Sequence, residues 1–261
     1  MTSQCMPETI ACEFCGRELR AIETPEWIIR IADMPSLQVP VVYETCDCEE
    51  ARLAEVERIE RKWESEAVDV AEDEASRMRS LAARAGIPDR YVGKEMDDKA
   101  MFADLVGVVD SGRGLFLTGG SGVGKTHAAC VLAQHYLKRG KSVRFADPEQ
   151  IEREVTSSWN RLANDTEASV IGRYVATDIV VIDDLGAETL NSTTLKVLRA
   201  VISGREANDR VTIFTSNYTR EQFAARVAEK SDTVMARRLA SRIKGMTWMV
   251  PMEGHDRRAA S

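Results

Sequence analysis

Apolar positions along the chain follow two different periods. Between residues 49 and 85, Leu53, Val56, Ile59, Trp63, Ala67 and Val70 recur every three or four residues, and Ala75, Met78 and Leu81 continue the stripe, with no Gly or Pro among them. That spacing predicts one long amphipathic helix, which Gly86 and Pro88 end. From residue 88 the pattern changes to short apolar runs alternating with helical stretches. GLFLTG (114–119), SVRFAD (142–147), DIVVIDD (178–184), VTIFTSN (211–217) and MTWMVPM (246–252) read as strands. KTHAACVLAQHYLKR (125–139), stopped by Gly140, and STTLKVLRAVISGREA (192–207) read as helices. Asp147-Pro148 supplies an N-cap and a first-turn proline for a further helix, predicted to run to about Leu162. Thr219 and Gln222 have the spacing of a capping box. Alternation of this kind predicts an α/β fold, a parallel sheet with helices on both faces. Ahead of the long helix lie two β-like runs, WIIRI (27–31) and VPVVYE (39–44), with DMPS as a turn between them. Three regions result: 1–48, 49–87 and 88–261.

Charge sharpens this division. The chain of 261 residues carries a net charge of -7, but residues 1–87 hold 10 Lys and Arg against 19 Asp and Glu, whereas residues 197–261 hold 12 against 7. An acidic front suits a protein partner better than nucleic acid, and a basic tail suits phosphate. Either could equally be a solvated face. No stretch reaches the roughly 18 apolar residues of a membrane helix, and the N-terminus lacks the basic and apolar regions of a signal peptide, so a cytoplasmic protein is expected.

Two motifs carry recognisable chemistry. Gly119, Gly120, Ser121, Gly122, Val123, Gly124, Lys125 and Thr126 fit G-x-x-x-x-G-K-[ST] between a predicted strand and a predicted helix. Glycines let backbone N–H groups turn onto phosphate oxygens, the lysine reaches the β- and γ-phosphates, and the threonine hydroxyl can ligate Mg²⁺. The helix aims its positive end at the same place. ATP and Mg²⁺ are the implied ligands. In DIVVIDD the strand ends in two acids. Asp183 is placed to hold Mg²⁺, and Asp184 either polarises the attacking water or caps the following loop. Asn217, ending VTIFTSN, either contacts the γ-phosphate or water, or is a turn asparagine.

The second motif is Cys12-x-x-Cys15-Gly16, followed thirty residues on by Cys46-x-Cys48. The first pair resembles a zinc knuckle. Four thiolates around Zn²⁺ would form a closed structural site able to hold up a module too small to own a core. Reduced structural cysteines are the alternative, and Cys5 could replace one ligand. Cys130, His127 and His135, on the helix after the phosphate loop, read as structural.

The ordered set GLFLTGGSGVGKTHAACVLA, SVRFADPEQI, DIVVIDDLGAE, VTIFTSN and RRLASRIKG resembles the DnaC/DnaI-like helicase loaders and the related IstB-like transposition helpers, both AAA+ ATPases, over about residues 86–258. IPDRY resembles that family's lead-in to the nucleotide. The resemblance implies an ASCE sheet in strand order 5-1-4-3-2, ATP hydrolysis and self-association. It implies an arginine finger, for which Arg242 is the candidate and Arg237 and Arg238 are competitors. It also implies a sensor arginine, Arg257, although the aromatic residue that usually accompanies it is missing here. Asp184 departs from the Glu of many AAA+ enzymes, which suggests slow turnover. Trp159 matches an aromatic that loaders use against single-stranded DNA, with Arg153 and Arg161 able to meet phosphates; its alternative is a core residue. Taken together, the expectation is an ATP-dependent loader of a hexameric replicative helicase, binding it through a zinc-ribbon-like N-terminal module. A transposase helper and a nucleotide-gated adaptor are the other readings.

Overall fold

Residues 9–22, 43–160, 164–186, 191–230 and 233–254 are described in the computed structural model of the chain. The expected run 27–31, most of 39–44, Arg161 and Arg257 lie outside them. The chain divides into two units, Met1–Asp73 and Glu74–Ser261.

In the first unit, β1 (Thr9–Ala11) and β2 (Glu18–Arg20) form an antiparallel hairpin. Ala21 bridges to Tyr43, and the Glu44 amide donates to Arg20 O at 2.8 Å, which brings the second cysteine pair alongside the hairpin. Helix α1 (Glu49–Ala85) starts with Glu49 and Glu50 and ends with Arg84, charges that suit the helix dipole at each end. In this first unit Leu53, Val56, Ile59 and Trp63 of α1 are exposed.

The last turns of α1 belong to the second unit, where Met78, Leu81, Ala82 and Ala85 join its core. Gly86 (φ 83°) then stops the helix, and the Ile87 amide turns back to Ala82 O at 2.9 Å. A Cβ at Gly86 would stand 2.4 Å from Phe145 O, so glycine is required by the neighbouring strand as well as by the turn. A 3-10 turn, Asp89–Tyr91, leads to α2 (Lys99–Asp110). The chain then alternates: β3 (Gly114–Thr118), α3 (Lys125–Lys138), β4 (Val143–Ala146), α4 (Pro148–Ser157), α5 (Glu167–Ala176), β5 (Ile179–Ile182), α6 (Ser192–Ala207), β6 (Val211–Ser216), α7 (Arg220–Lys230), α8 (Thr233–Met246) and β7 (Thr247–Pro251).

The five strands of this unit are parallel, in the order β4-β5-β6-β3-β7. Numbered from the strand before the glycine loop, this is the expected 5-1-4-3-2. Alternate side chains of each strand feed opposite faces. Leu115, Leu117, Val181 and Ile213 pack with α2 and α3, whereas Phe116, Val180, Ile182 and Phe214 pack with α4 to α8. Two apolar layers thus clamp the sheet and fix the positions of its C-terminal ends. Arg205 is fully buried on α6 and donates to Tyr174 O, Thr177 O, Asp178 O and Val211 O and to the Thr212 hydroxyl. It gathers the carbonyls at the end of α5, and burial pulls its pKa down to about 9.

Three helices, α2, α5 and α8, were not foreseen from the pattern. Helix α4 ends at Ser157 rather than near Leu162, because Ser157 and Ser158 turn their hydroxyls onto Arg153 O and Val155 O and the chain leaves the helix in a turn. The predicted capping box forms: the Thr219 amide donates to Gln222 Oε1 at 2.8 Å, and the Gln222 amide donates to Thr219 Oγ1 at 3.3 Å.

Candidate functional site

The first unit holds a cluster of four sulfurs. The Gly16 amide donates to Cys12 O at 2.9 Å and the Cys12 amide to Arg17 O at 2.8 Å, and Gly16 sits at φ 74°. This tight turn throws Cys12 and Cys15 to one side of the hairpin. Cys46 and Cys48 come from the segment that enters α1. The Sγ pairs Cys12–Cys48 and Cys15–Cys46 are 4.0 and 3.4 Å apart, and all four sulfurs lie within 4.8 Å of one another. Those separations are too long for disulfides, which need about 2.05 Å. Four sulfurs at ~2.3 Å from one tetrahedral ion would stand ~3.8 Å apart, so the cage fits zinc. The backbone N–H groups of Cys15 and Phe14 point at the Cys12 sulfur and favour its thiolate, whereas the neighbouring sulfurs push the Cys46 and Cys48 thiols upward, as close thiols without a cation between them must.

The second unit holds a cleft of about 520 Å³ at the C-terminal ends of β3, β5 and β6. Ser121, Gly122, Gly124, Lys125 and Thr126 line one side, and Asp183, Asp184, Thr215 and Asn217 form the floor. Arg90, Tyr91, Lys94 and His127 complete it. The glycine loop needs its glycines: Gly119, Gly122 and Gly124 have φ of 152°, 78° and 100°, and a Cβ at Gly119 would lie 2.2 Å from Met252 O. Gly120 and Val123 complete the loop, and Val123 tucks into the core beneath it. Gly124 caps α3, whose free N–H groups therefore open onto the cleft.

Charged groups in the cleft are tied together. Lys125 Nζ donates to Gly119 O at 2.9 Å, Gly120 O at 2.6 Å and Asn217 Oδ1 at 2.8 Å. Asn217 Nδ2 lies 3.5 Å from Asp184 Oδ1. The Thr126 hydroxyl donates to Asp183 Oδ1 at 2.9 Å, and the Thr215 hydroxyl donates to the same oxygen at 2.6 Å. Burial pushes the Asp183 carboxyl upward from its ordinary value, against the pull of those two hydroxyls, and Asp184 adds to the push. A half-buried carboxylate beside a threonine hydroxyl is a fitting pair of ligands for a divalent cation. Asp184 itself adopts φ 54°, held there by its amide donating to Thr215 Oγ1 at 2.8 Å. Thr215 thus orients both acids at once, a role the sequence reading missed. Its signal was there in VTIFTSN, where a polar residue occupies a buried strand position.

The other expected residues stand apart. Arg242, on α8, is half-buried and ion-paired with Glu206 at 2.5 Å rather than turned into this cleft. Arg237 and Arg238 are exposed on the same helix. Trp159 lies in the turn after α4, 56% exposed, with its indole N–H donating to Glu167 at 2.8 Å, so it is not a core residue. Arg153 is exposed and paired with Glu149 at 3.6 Å. Cys130 is buried in α3, as expected, and burial pushes its thiol up, out of reactive range. His127 borders the cleft, contrary to a purely structural part, whereas His135 packs edge-on against Phe102 and Tyr136.

A glycine loop and a helix N-terminus after strand 1 of a 5-1-4-3-2 parallel sheet, with paired acids ending strand 3, define an AAA+ ATP-binding protein. Within that class the chain belongs to the family of IstB-like ATP binding proteins, whose model matches residues 55–260. It is similar to the replicative helicase loader DnaI of Bacillus subtilis, 27% identical over 152 residues, and to the replicative helicase loader DnaC of Buchnera aphidicola, 20% identical over 173 residues. Those matches take in 56% and 62% of this chain and 48% and 70% of the relatives, so it spans about half the length of DnaI. A protein named as ATP-binding in an insertion sequence of Mycobacterium tuberculosis is 29% identical over 120 residues, 45% of this chain and 47% of that one. Among solved structures, DnaI matches with a TM-score of 0.52 at 23% identity over 64% of this chain and 89% of that one, which supports the fold. No helix among the described residues is long and apolar enough to cross a membrane.

Proposed function

We propose that the chain is an ATP-dependent loader of a replicative DNA helicase. The observation that carries this is a nucleotide cleft that gathers Lys125, Thr126, Asp183, Asp184 and Asn217, in a chain whose curated relatives include helicase loaders. Lys125 releases its carbonyl partners to take the β- and γ-phosphates. Thr126 and Asp183 would hold Mg²⁺, which neutralises phosphate charge when bound. Asp184 accepts a proton from the attacking water, and Asn217, between Lys125 and Asp184, keeps water and phosphate aligned. Arg242 of a neighbouring copy, freed from Glu206, reaches the transferring phosphate in trans.

The division of labour runs along three regions of the chain. Residues 1–48 form a module held by zinc on Cys12, Cys15, Cys46 and Cys48, the acidic helix of 49–87 follows, and 88–261 bind ATP. The N-terminal module recruits the helicase, while the exposed Trp159 stacks on single-stranded DNA and Arg153 and Arg161 meet its phosphates. A sensor role for Arg257 completes the proposal.

The insertion-sequence relative favours a second reading, an ATPase helper of a transposase. Co-purification separates the two: capture of a hexameric helicase supports the first, and capture of a transposase with no helicase overturns it. ATP turnover measured with and without single-stranded DNA tests hydrolysis, and its absence under both conditions would leave a nucleotide-gated adaptor.

A further inference from the structure

Gln134 is a buried amide on α3, 4% exposed, and it does not line the nucleotide cleft. Its Oε1 accepts from the Gly93 amide at 2.7 Å, and its Nε2 donates to Tyr91 O at 2.8 Å and Cys130 O at 3.1 Å. The orientation of the amide is fixed by these partners, since a peptide N–H only donates and a peptide C=O only accepts. The turn it grips carries Arg90, Tyr91 and Lys94, all of which do line the cleft. Arg90 lies over the Tyr91 ring at 4.8 Å, and that ring lies 6.1 Å from the ring of His127. Gly93 reverses the chain at φ 73°. The other backbone bonds of the turn are local to it: the Tyr91 amide to Pro88 O at 2.9 Å, the Val92 amide to Asp89 O at 3.0 Å and the Lys94 amide to Tyr91 O at 3.2 Å.

The phosphate end of the cleft is defined by Gly119–Thr126 with Asp183 and Asp184. A nucleoside triphosphate seated there must lay its nucleoside along the remaining wall, that of Arg90, Tyr91 and Lys94. We propose that Gln134 is the positioning residue that sets this wall, and that it governs affinity for the nucleoside part of ATP without acting on the phosphate cradle. The proposal rests on the ATP-binding reading of the cleft. No side chain of similar size replaces Gln134: a hydrocarbon takes away the acceptor of Gly93 N–H and the closer of the two donors to Tyr91 C=O, and an ionised carboxylate keeps the acceptor but loses both donors.

Calorimetric titration of the full chain with ATP and, separately, with inorganic tripolyphosphate tests it. Gln134→Leu should weaken ATP binding about tenfold, the effect of losing one or two hydrogen bonds that hold the turn, and leave tripolyphosphate within about twofold. Gln134→Glu should bind ATP more tightly as pH is lowered, because only the protonated acid can donate to Tyr91 O, while the wild type shows no such recovery. Should Gln134→Leu fail to fold, Gly93→Ala strains the same turn in open space, and the same ATP-selective loss is expected. Equal weakening toward both ligands, or unchanged ATP affinity in the folded variants, overturns the proposal. A wild-type chain that binds neither ligand overturns the ATP-binding reading itself.

Discussion

Replacing Asn217 by Ala should separate binding from turnover. Its amide spans the phosphate-binding lysine and the candidate base, 2.8 Å from Lys125 Nζ and 3.5 Å from Asp184 Oδ1. Without nucleotide, Lys125 has three protein acceptors for its three protons, so a phosphate must displace at least one of them. Removing Asn217 vacates one of these places beforehand. Ground-state binding should therefore change little, within about threefold, because the loss of a contact is offset by easier release of the lysine. In the transition state Asn217 would support both the water and the charge on the phosphate, and a hydrogen bond to a charged group contributes about 1.5–3 kcal/mol. Converted at 1.36 kcal/mol per factor of ten, that is a loss of about 10- to 150-fold in kcat. Asn217→Asp has the same shape but sets a second carboxylate beside Asp184, which should impair turnover at least as much. The assay is steady-state ATP hydrolysis, with ATP affinity measured under non-turnover conditions. A kcat within about twofold of wild type, or a loss confined to binding, would refute the reasoning.

Arg242→Ala should bind ATP normally yet hydrolyse it slowly, and mixing it with Lys125→Ala protein should restore activity at shared interfaces; failure to complement, with normal turnover by Arg242→Ala alone, removes the trans role. Trp159→Ala should weaken single-stranded DNA binding about tenfold without lowering thermal stability, since the ring is exposed, and unchanged affinity would exclude stacking. Chelation or Cys46→Ser should unfold the N-terminal unit and leave ATP binding intact, whereas less than about half an equivalent of zinc in the purified chain would count against four-cysteine ligation. Acid should weaken the ATP-binding unit through His135, whose pKa is depressed chiefly by burial, with Arg139 and Lys138 acting the same way and Asp110 opposing. A depressed native pKa costs stability only as pH falls below the ordinary value of about 6.5, so the loss should begin near pH 6.5, grow as pH falls further, and flatten in His135→Gln; an unchanged slope in that variant would place the acid sensitivity elsewhere.

Features that depend on sequence-local physics were legible before the structure. The glycine loop, the Asp147 and Thr219 caps and the five apolar runs each follow from a few neighbouring residues, and each formed where expected. The end of α4 was misplaced because Ser157 and Ser158 bond back to the helix carbonyls, a choice that apolar spacing does not register. Helix α2 was legible in principle, because Met101, Phe102, Leu105, Val106 and Val109 recur at helical spacing on the face that packs into the core.

The site divides the same way. Lys125, Thr126, Asp183 and Asp184 announce themselves by spacing, because phosphate and metal demand particular groups on particular loops. Thr215, Gln134 and Arg205 do not, since each acts on backbone or side chains brought near only by the sheet and its helices: Thr215 on Asp183 across 32 positions, Gln134 on Gly93 across 41, Arg205 on Tyr174 across 31. All three are polar residues buried among apolar ones, where an unpaired group would cost about 1–3 kcal/mol, so each must have a partner. A buried polar residue in a sequence thus implies a long-range bond without naming its other end. In this chain two of those other ends, Asp183 and the Tyr91–Gly93 turn, belong to the nucleotide cleft, so the fold and the chemistry of the cleft depend on the same few hydrogen bonds.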